Sequence, residues 1–479
     1  MAAKFETTSG VNIKDLSFFA LFSLIFGSMM GSGVFDIPEN VAHLAGVIPV
    51  LISWVITAIG MLSLGAAFVY ITRKRPDIQS GLYGYAKYGF GDYVGFNAAW
   101  GYGLNALLGN ASYLIYVFAT LANFSIFKTF KSGINIPSLI GESALIWIVF
   151  FLINRGIREA SIVNILITMV KILALLTVVT LFIVGFKWSQ FKANMVIDTN
   201  LGSVLTQVKS TMLVTVWDFL GIEAACIYAM RAKNMKDVAR ATMLGVVVVL
   251  LFDSLISILP FGILTGAQVS HLEIPSTSWA LSAINYTTTA FCIRGAVIVS
   301  VLGALLAWMM LAVNIFYLAA EDKAMPKIMA KMNKRNVPTN ALLASSIILQ
   351  LFVILAFFSH LGYLVMIQLA TSLIIVPYLL TAIFAFRLMI AEKKIDVFSL
   401  VKGAVAVIYG FWLIYAGGLK YLVFSTLLYT VGTIFYVIAR KEQGKTVFAG
   451  KIELGIFVGL VLCSIISLSL WLSGVMSLS

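Results

Sequence analysis

Two glycine-containing stretches interrupt apolar runs of this chain, and their residue types suit the binding of a small charged molecule. The first is Gly27-Ser28-Met29-Met30-Gly31-Ser32-Gly33, set between the apolar residues 18–26 and a run that starts at Val34. Each glycine destabilises a helix by about 1 kcal/mol relative to alanine. In lipid, backbone released from a helix must bond to protein, ligand or enclosed water. The stretch therefore predicts a broken membrane helix that lines a binding site.

The second stretch is Trp217-Asp218-Phe219-Leu220-Gly221-Ile222-Glu223, five apolar runs further along the chain. Here one glycine lies between two acids, and acidic side chains inside membrane spans are costly and usually functional. Two interrupted spans in corresponding positions of two five-helix halves are typical of transporters with inverted repeats and a site near the membrane midplane.

The ends of the broken helices supply the binding chemistry. A helix that begins after Gly31 presents unpaired N–H groups and the positive end of its dipole, which favour a carboxylate. Carbonyl oxygens of Met29 and of residues 217–220 lose their helical partners and favour an ammonium group. Together the two breaks can hold the head group of an α-amino acid without a charged side chain.

The composition places these stretches in a membrane. Of 479 residues, 61% are hydrophobic and only 11% are charged, with a mean hydropathy of +1.01. Apolar runs of about 20 residues, enough to cross a bilayer, recur throughout. We predict an all-α polytopic membrane protein with 12 or 13 transmembrane helices, forming one transporter domain over residues 1–479.

The apolar runs define the predicted spans and their grouping. They cover residues 16–40, 46–71, 94–122, 139–154, 161–187, 204–230, 241–265, 295–320, 341–359, 362–389, 402–418, 420–439 and 453–476. We expect a first five-helix repeat over 16–187, a second over 204–389 and peripheral helices over 402–476. Residues 266–294 are interpreted as an external re-entrant or amphipathic segment.

Lysine and arginine are concentrated in alternate loops. If the N-terminus is cytoplasmic, the loops after even-numbered spans are internal. Their basic residues include Arg73, Lys74, Arg75, Lys87, Arg155, Arg158, Arg231, Lys233, Lys323, Arg387, Lys393, Lys394 and Arg440. Positive residues favour the cytoplasmic side, so we expect an inner-membrane protein with this orientation. The same rule accounts for the net charge of +13 without a nucleic-acid partner.

The sequence lacks the motifs of disulfide-stabilised proteins, metalloproteins, ATP-driven transporters and enzymes. The cysteines Cys226, Cys292 and Cys463 are scattered and give neither a disulfide framework nor metal-ligand spacing. A phosphate-cradling glycine-rich loop with its lysine is missing, which argues against ATP-driven transport. We expect no cofactor, no metal and no catalytic constellation, and therefore no enzyme.

The motifs around both breaks resemble the amino acid–polyamine–organocation (APC) superfamily. The first-span run "FGSMMGSGVFDIPEN" resembles its signature, and "WDFLGIEAA", "RAKNMKDVARAT", "VLGALLAWMMLA" and "IIVPYLL" resemble the basic amino acid/polyamine antiporter branch. The overall likeness is strongest to arginine/ornithine antiporters. It implies a 5+5 inverted-repeat core and substrate exchange by alternating access.

The resemblance also implies roles for individual residues. Those that would hold the substrate carboxylate are Gly31, Ser32 and Gly33. Those that would hold the ammonium through backbone carbonyls, beside the break at Gly221, are Met29, Trp217 and Leu220. Those that would face the substrate side chain are Asn105, Ala106, Asn110 and, by stacking, Trp308. Those linked to gating or coupling are Tyr102, Lys171, Asp218 and Glu223, and Trp217 would also act as an aromatic gate.

Some positions depart from the family pattern and leave the substrate open. Asp218 stands where relatives carry an uncharged residue, and Ala106 replaces a cysteine of the arginine/agmatine type. Asp218 either pairs with a lysine or arginine or faces water. Ala370 and Thr371 lie near where the arginine/agmatine type has a serine contact. Asp253, in the seventh span, receives no role.

We therefore predict a secondary transporter that exchanges basic amino acids, arginine for ornithine first, with lysine or agmatine as further substrates. Its partners are small amino acids and the lipid bilayer, and a homodimer is compatible with the sequence. The alternatives are a proton-coupled amino acid permease, an antiporter for another pair such as glutamate and γ-aminobutyrate, and a non-transporting receptor or channel.

Overall fold

The computed structural model describes residues 16–78, 80–156, 161–196, 199–228, 232–392 and 396–473. Within these ranges the chain is all-α, as predicted, with one isolated bridge between Leu16 and Ala232. The α-helices are α1 (Phe18–Met29), α2 (Gly33–Leu44), α3 (Val47–Lys74), α4 (Gly81–Phe90), α5 (Asp92–Leu121), α6 (Ile136–Asn154), α7 (Ser161–Gly185), α8 (Trp188–Ala193), α9 (Val204–Trp217), α10 (Ala224–Tyr228), α11 (Met235–Ile258), α12 (Gly266–Val269), α13 (Ser276–Ala283), α14 (Thr287–Glu321), α15 (Thr339–Phe358), α16 (Tyr363–Ile390), α17 (Val397–Ala416), α18 (Gly418–Glu442) and α19 (Lys451–Leu472).

The predicted spans correspond to helices of this bundle. Among the described residues, 12 helical segments are long and apolar enough to cross a membrane, and α1 with α2 counts as one of them. The interrupted pair α9 and α10 accounts for the remaining predicted run. Some boundaries differ, since α14 begins at Thr287 rather than 295 and α17 at Val397 rather than 402. The predicted ends at 230 and 476, and the loop residues Arg158, Arg231, Lys393 and Lys394, lie outside the described residues.

The first break is shorter than the glycine-containing stretch. Helix α1 continues through Gly27 and Ser28 to Met29, and α2 starts at Gly33, so only residues 30–32 leave the helix. Apolar burial explains this, because the last turn of α1 packs Phe26 and Met29 into the core. The cost of one helical glycine, about 1 kcal/mol, is smaller than the gain from burying such side chains.

The segment after α11 covers α2 with two short helices. The backbone N–H of Ser276 donates to Asp36 Oδ1 at 2.8 Å, and the Thr277 hydroxyl donates to the carbonyl of Phe35 at 2.9 Å. These bonds fix α13 against the first turns of α2. Helix α13 is therefore anchored to the helix that follows the first break. The segment predicted as re-entrant or amphipathic is shorter than expected, because α14 begins at Thr287.

Ion pairs join helix ends on one side of the bundle. Lys74 pairs with Glu392, which also accepts from the Tyr70 hydroxyl at 2.6 Å. Lys87 pairs with Asp322 at 2.6 Å. Hydrogen bonding to Lys74 holds the pKa of the Glu392 carboxyl below its usual value. All four helix ends belong to loops that the charge pattern predicts to be cytoplasmic.

Helix α5 is the axis around which the site residues are arranged. All of its residues from Ala98 to Thr120 are buried, and it packs against α4, α14 and α16. Nearby, α3 and α9 are joined by two hydroxyl pairs one helical turn apart. Ser53 Oγ lies 2.7 Å from Thr211 Oγ1, and Thr57 Oγ1 lies 2.9 Å from Thr215 Oγ1. These pairs hold the helix that leads into the second break.

Replacing Thr57 and Thr215 by valine, singly and together, should reveal a coupling free energy of about 0.6 kcal/mol, typical of hydrogen bonds between membrane helices. Valine keeps the shape of threonine and removes only the hydroxyl. Unfolding of the four proteins in mixed micelles measures the coupling. Thr177→Val is the matched control, because the bond of this exposed hydroxyl to the Leu173 carbonyl lies within its own helix. Strictly additive effects of Thr57→Val and Thr215→Val would contradict the prediction.

Candidate functional site

The two helix breaks touch each other. The Ser28 hydroxyl, in the last turn of α1, donates to the carbonyl of Gly221 at 3.0 Å. A β-carbon on Gly221 would lie 2.7 Å from the backbone carbon and oxygen of Ser28. Gly221 also has a φ of +108°, which residues other than glycine rarely adopt. Glycine is therefore required here by both conformation and space.

Glu223 completes the second break. Its Oε2 accepts from the backbone N–H of Gly221 at 3.1 Å and from the Tyr378 hydroxyl at 2.7 Å. Both residues are buried, and Tyr378 lies on α16 beside the helix-interior Pro377. Glu223 thus satisfies a backbone group released by the break and connects it to α16. Tyr378 received no role from the sequence, although it belongs to the "IIVPYLL" motif.

The N-terminus of α2 is the predicted carboxylate position. Ser32 occupies the N-cap, but its hydroxyl does not cap the helix and instead lies 2.7 Å from the Tyr363 hydroxyl. Gly31 packs against the Tyr113 hydroxyl, and a β-carbon there would require the tyrosine side chain to shift. The predicted residues Gly31, Ser32 and Gly33 are brought together, and two tyrosines that the sequence did not indicate lie beside them.

The sequence predicts that the backbone carbonyls near the breaks are free. In the structure, two of them already accept hydrogen bonds. The Met29 carbonyl accepts from Gly31 N–H at 3.0 Å, and the Trp217 carbonyl accepts from Leu220 N–H at 3.1 Å. Tight turns replace the lost helical bonds there. A carbonyl oxygen has two lone pairs, so each of these oxygens keeps one acceptor position for an ammonium group.

Two tryptophans flank the buried face of α5. Trp217 packs on Gly109, one residue before Asn110, with its ring centroid 5.9 Å from that of Tyr113. Trp308, on α14, lies 6.4 Å from the ring of Tyr102. Their positions place both predicted aromatic residues against the helix that carries Asn110.

The predicted residues of α5 differ in their bonding. Asn105 donates to the carbonyl of Ala370 at 2.8 Å and therefore joins α5 to α16. Ala106 is buried and contributes only a methyl group. Asn110 is fully buried, and neither its amide nitrogen nor its amide oxygen has a partner in the described part of the chain. Of the three, Asn110 alone keeps its whole amide for a ligand.

Lys171, on α7, is only 3% exposed and points at the first break. Its ammonium donates to the carbonyl of Met30 at 2.6 Å and to that of Gly27 at 3.4 Å. These carbonyls lie at the C-terminal end of α1, where the helix dipole favours a cation. The Lys171 amino group is therefore directed at the break and does not extend toward a membrane interface.

Asp218 is placed against the start of α2. The residue is 3% exposed, its Oδ2 has no hydrogen-bond partner, and no ion pair among the described residues includes it. The lysine or arginine partner considered from the sequence is not found there. Asp253, on α11, is fully buried, and neither carboxyl oxygen has a hydrogen-bond partner among the residues that the structure describes.

Comparison with known proteins agrees with this architecture. The model of the amino acid permease family matches residues 16–458. An arginine/ornithine antiporter of Pseudomonas aeruginosa is 39% identical over 465 residues, covering 94% of this chain and 95% of the relative. An arginine/agmatine antiporter of Chlamydia pneumoniae is 35% identical, covering 94% and 95%. An L-lysine transport protein of Corynebacterium glutamicum is 36% identical, covering 94% of each.

Twelve membrane-length helices among the described residues and the family match together define a multi-pass membrane transporter. The chain belongs to the amino acid permease family, and the resemblance found in its motifs is confirmed.

Gly221→Ala should reduce transport at least tenfold, because a methyl group would meet the Ser28 backbone and φ would become strained. Uptake into proteoliposomes, normalised to the amount of folded protein, measures this. Gly295→Ala on α14 is the control, since a β-carbon there meets no atom within 4 Å. Equal activity of the two variants would show that the contact between the breaks is not needed.

Proposed function

We propose that this protein exchanges basic amino acids across the membrane by alternating access, with arginine and ornithine as the first pair. The observation that carries the proposal is the contact between the two helix breaks, which brings carbonyls with a remaining lone pair close to a helix N-terminus. Relatives named for arginine, ornithine, agmatine and lysine, each matched over more than nine-tenths of the chain, support the substrate class.

Each break contributes to the substrate head group. The carboxylate binds at the N-terminus of α2, through Ser32 and Gly33, with Gly31 allowing close approach. The ammonium binds the remaining lone pairs of the Met29, Trp217 and Leu220 carbonyls. The cationic end of the side chain binds the ring of Trp308 and the amide of Asn110, which has no partner among the described residues.

The arrangement follows a repeated architecture. Residues 16–187 and 204–389 form two five-helix repeats of opposite orientation, and residues 402–476 form peripheral helices. The breaks in the first and sixth spans are then corresponding elements. The protein lies in the bacterial inner membrane with a cytoplasmic N-terminus, which agrees with the basic residues at the ends of α3, α16 and α18. A homodimer is consistent with this architecture.

Gating and coupling depend on the groups around the breaks. Trp217 closes over the substrate, and Tyr102 moves with Trp308. Lys171 holds the end of α1 in place of a mobile cation, and Glu223 links the second break to α16. If the empty carrier reorients slowly, import is tied to export. Exchange of arginine for ornithine then moves no net charge. Exchange of arginine for agmatine moves one charge, to which the membrane potential contributes about 2.3 kcal/mol per 100 mV.

Radiolabelled arginine uptake tests the proposal. Proteoliposomes are preloaded with ornithine, lysine, agmatine, glutamate or no amino acid. Uptake should be at least tenfold faster with internal ornithine than with empty vesicles, because reorientation without substrate is slow. Equal uptake into empty vesicles, driven by a pH gradient, would instead identify a proton-coupled permease. Stimulation by glutamate alone would identify a different exchange pair.

Trp308→Ala should weaken arginine binding by about two- to thirtyfold, the equivalent of a cation–π contact of 0.5–2 kcal/mol. Equilibrium binding to the purified protein measures the change. Trp308→Phe should recover part of the affinity, since a ring remains. Trp471→Ala, on the exposed face of α19, is the control and should leave binding unchanged. An unaltered affinity in Trp308→Ala would remove this ring from the site.

A further inference from the structure

The connection between α14 and α15, residues 322–338, carries exposed positive charge. Its five basic residues, all of them exposed, are Lys323, Lys327, Lys331, Lys334 and Arg335. Its one acidic residue, Asp322, is already paired with Lys87 at 2.6 Å. Within the described part of the chain, no ion pair includes any of the five basic side chains. Their charge is therefore left to solvent or to a ligand.

Basic residues at neighbouring helix ends are paired within the protein. Lys74 pairs with Glu392, and Arg440 Nη1 lies 3.2 Å from Asp92 Oδ2. The general excess of lysine and arginine in alternate loops explains the sign of the charge on this side of the bundle. It does not explain why one segment keeps its charge without acidic partners. Such clusters next to a membrane helix are typical of sites for anionic lipids.

Asn333 fixes the shape of the connection. Its Nδ2 donates to the carbonyl of Asn154, the last residue of α6, at 3.1 Å. Its Oδ1 accepts from the backbone N–H groups of Arg335 at 2.8 Å and Val337 at 3.1 Å. The Arg335 guanidinium in turn donates to the carbonyl of the exposed Arg155 at 3.2 Å. The backbone that carries the basic residues is thus held against the end of α6.

Exposed apolar side chains lie at the same helix ends. Helices α6 and α15 pack together, and the Thr339 hydroxyl donates to Asn154 Oδ1 at 2.8 Å where the end of α6 meets the start of α15. The exposed apolar residues around this point are Phe151 and Leu152 on α6, Leu343 and Ile347 on α15, and Ile328 and Met332 within the connection. Positive charge and lipid-facing apolar surface therefore adjoin each other, which matches the head and the chains of a phospholipid.

We propose that this surface binds an anionic phospholipid. Its phosphate binds Lys331, Lys334 and Arg335, since guanidinium and ammonium groups form charge-assisted hydrogen bonds with phosphate oxygens. Its acyl chains lie along the exposed apolar residues of α6 and α15. A zwitterionic lipid gains less here, because its own cationic group is repelled. The inference goes beyond the proposed exchange and depends neither on the substrates nor on which side of the membrane is cytoplasmic.

Native mass spectrometry of the purified full-length protein tests the inference. Phosphatidylglycerol and phosphatidylcholine with identical acyl chains are titrated into the protein in a neutral detergent, and the bound fractions give the dissociation constants. Phosphatidylglycerol should bind about tenfold more tightly, because each basic residue at a membrane surface favours an anionic headgroup. The triple variant Lys331→Gln, Lys334→Gln and Arg335→Gln should lower this preference to below about twofold.

The triple variant Lys128→Gln, Lys131→Gln and Lys187→Gln is the matched control. It removes the same charge from exposed positions beyond the opposite ends of α6 and α7. It should keep the preference of the natural protein. If the variant that includes Arg335→Gln does not fold, Lys331→Gln with Lys334→Gln leaves the bond to Arg155 intact and should still lower the preference to about threefold.

Three results would overturn the proposal. They are equal binding of the two lipids to the natural protein, an equal loss of preference in the control variant, and complete displacement of phosphatidylglycerol by inorganic phosphate. The last result would identify a site for small anions, since acyl chains on α6 and α15 should hold the lipid against free phosphate. The measurement uses no amino acid, so its failure leaves the proposed exchange intact, and failure of the exchange leaves the lipid site intact.

Discussion

Backbone that leaves a helix inside an apolar bundle must find hydrogen-bond partners, and this constraint determines most of the site. The structure meets it by placing the two breaks against each other. Ser28 donates to the carbonyl of Gly221, and Glu223 accepts the N–H of the same residue. Lys171 supplies a third partner by donating to the Met30 carbonyl. Gly221 is central because no side chain fits between these groups.

These bonds also connect the breaks to the rest of the bundle. Glu223 reaches Tyr378 on α16, Lys171 belongs to α7, and Ser32 contacts Tyr363 on α16. A shift of α16 or α7 therefore acts on the breaks directly. Alternating access needs such connections, since the binding groups must move with the helices that close each side.

Local features could be predicted from the sequence, but contacts between residues far apart in the chain could not. Hydropathy located the spans, and glycine identified both breaks, because helix propensity and hydrophobic length act over short segments. The contact of Ser32 with Tyr363 joins residues 331 positions apart. Neither residue type indicates that the other will be its partner. The end of α1 was also misplaced, since burial of Phe26 and Met29 keeps Gly27 helical. The turns that occupy the Met29 and Trp217 carbonyls likewise depend on conformations that composition does not specify.

The charges around the breaks limit what can bind between them. The carboxyl groups of Asp218, Asp253 and Glu223 are buried there, and Lys171 carries the ammonium directed at the first break. Lys171 donates to carbonyls at the end of α1, so it stabilises the backbone of the first break. Under the proposed exchange, a basic side chain offsets the cost of ionising a buried carboxyl group, which a neutral amino acid does not do. The carbonyls and helix N-terminus suit the head group that all amino acids share, so the proposed selectivity for basic substrates depends on groups that face the side chain, Trp308 and Asn110 among them.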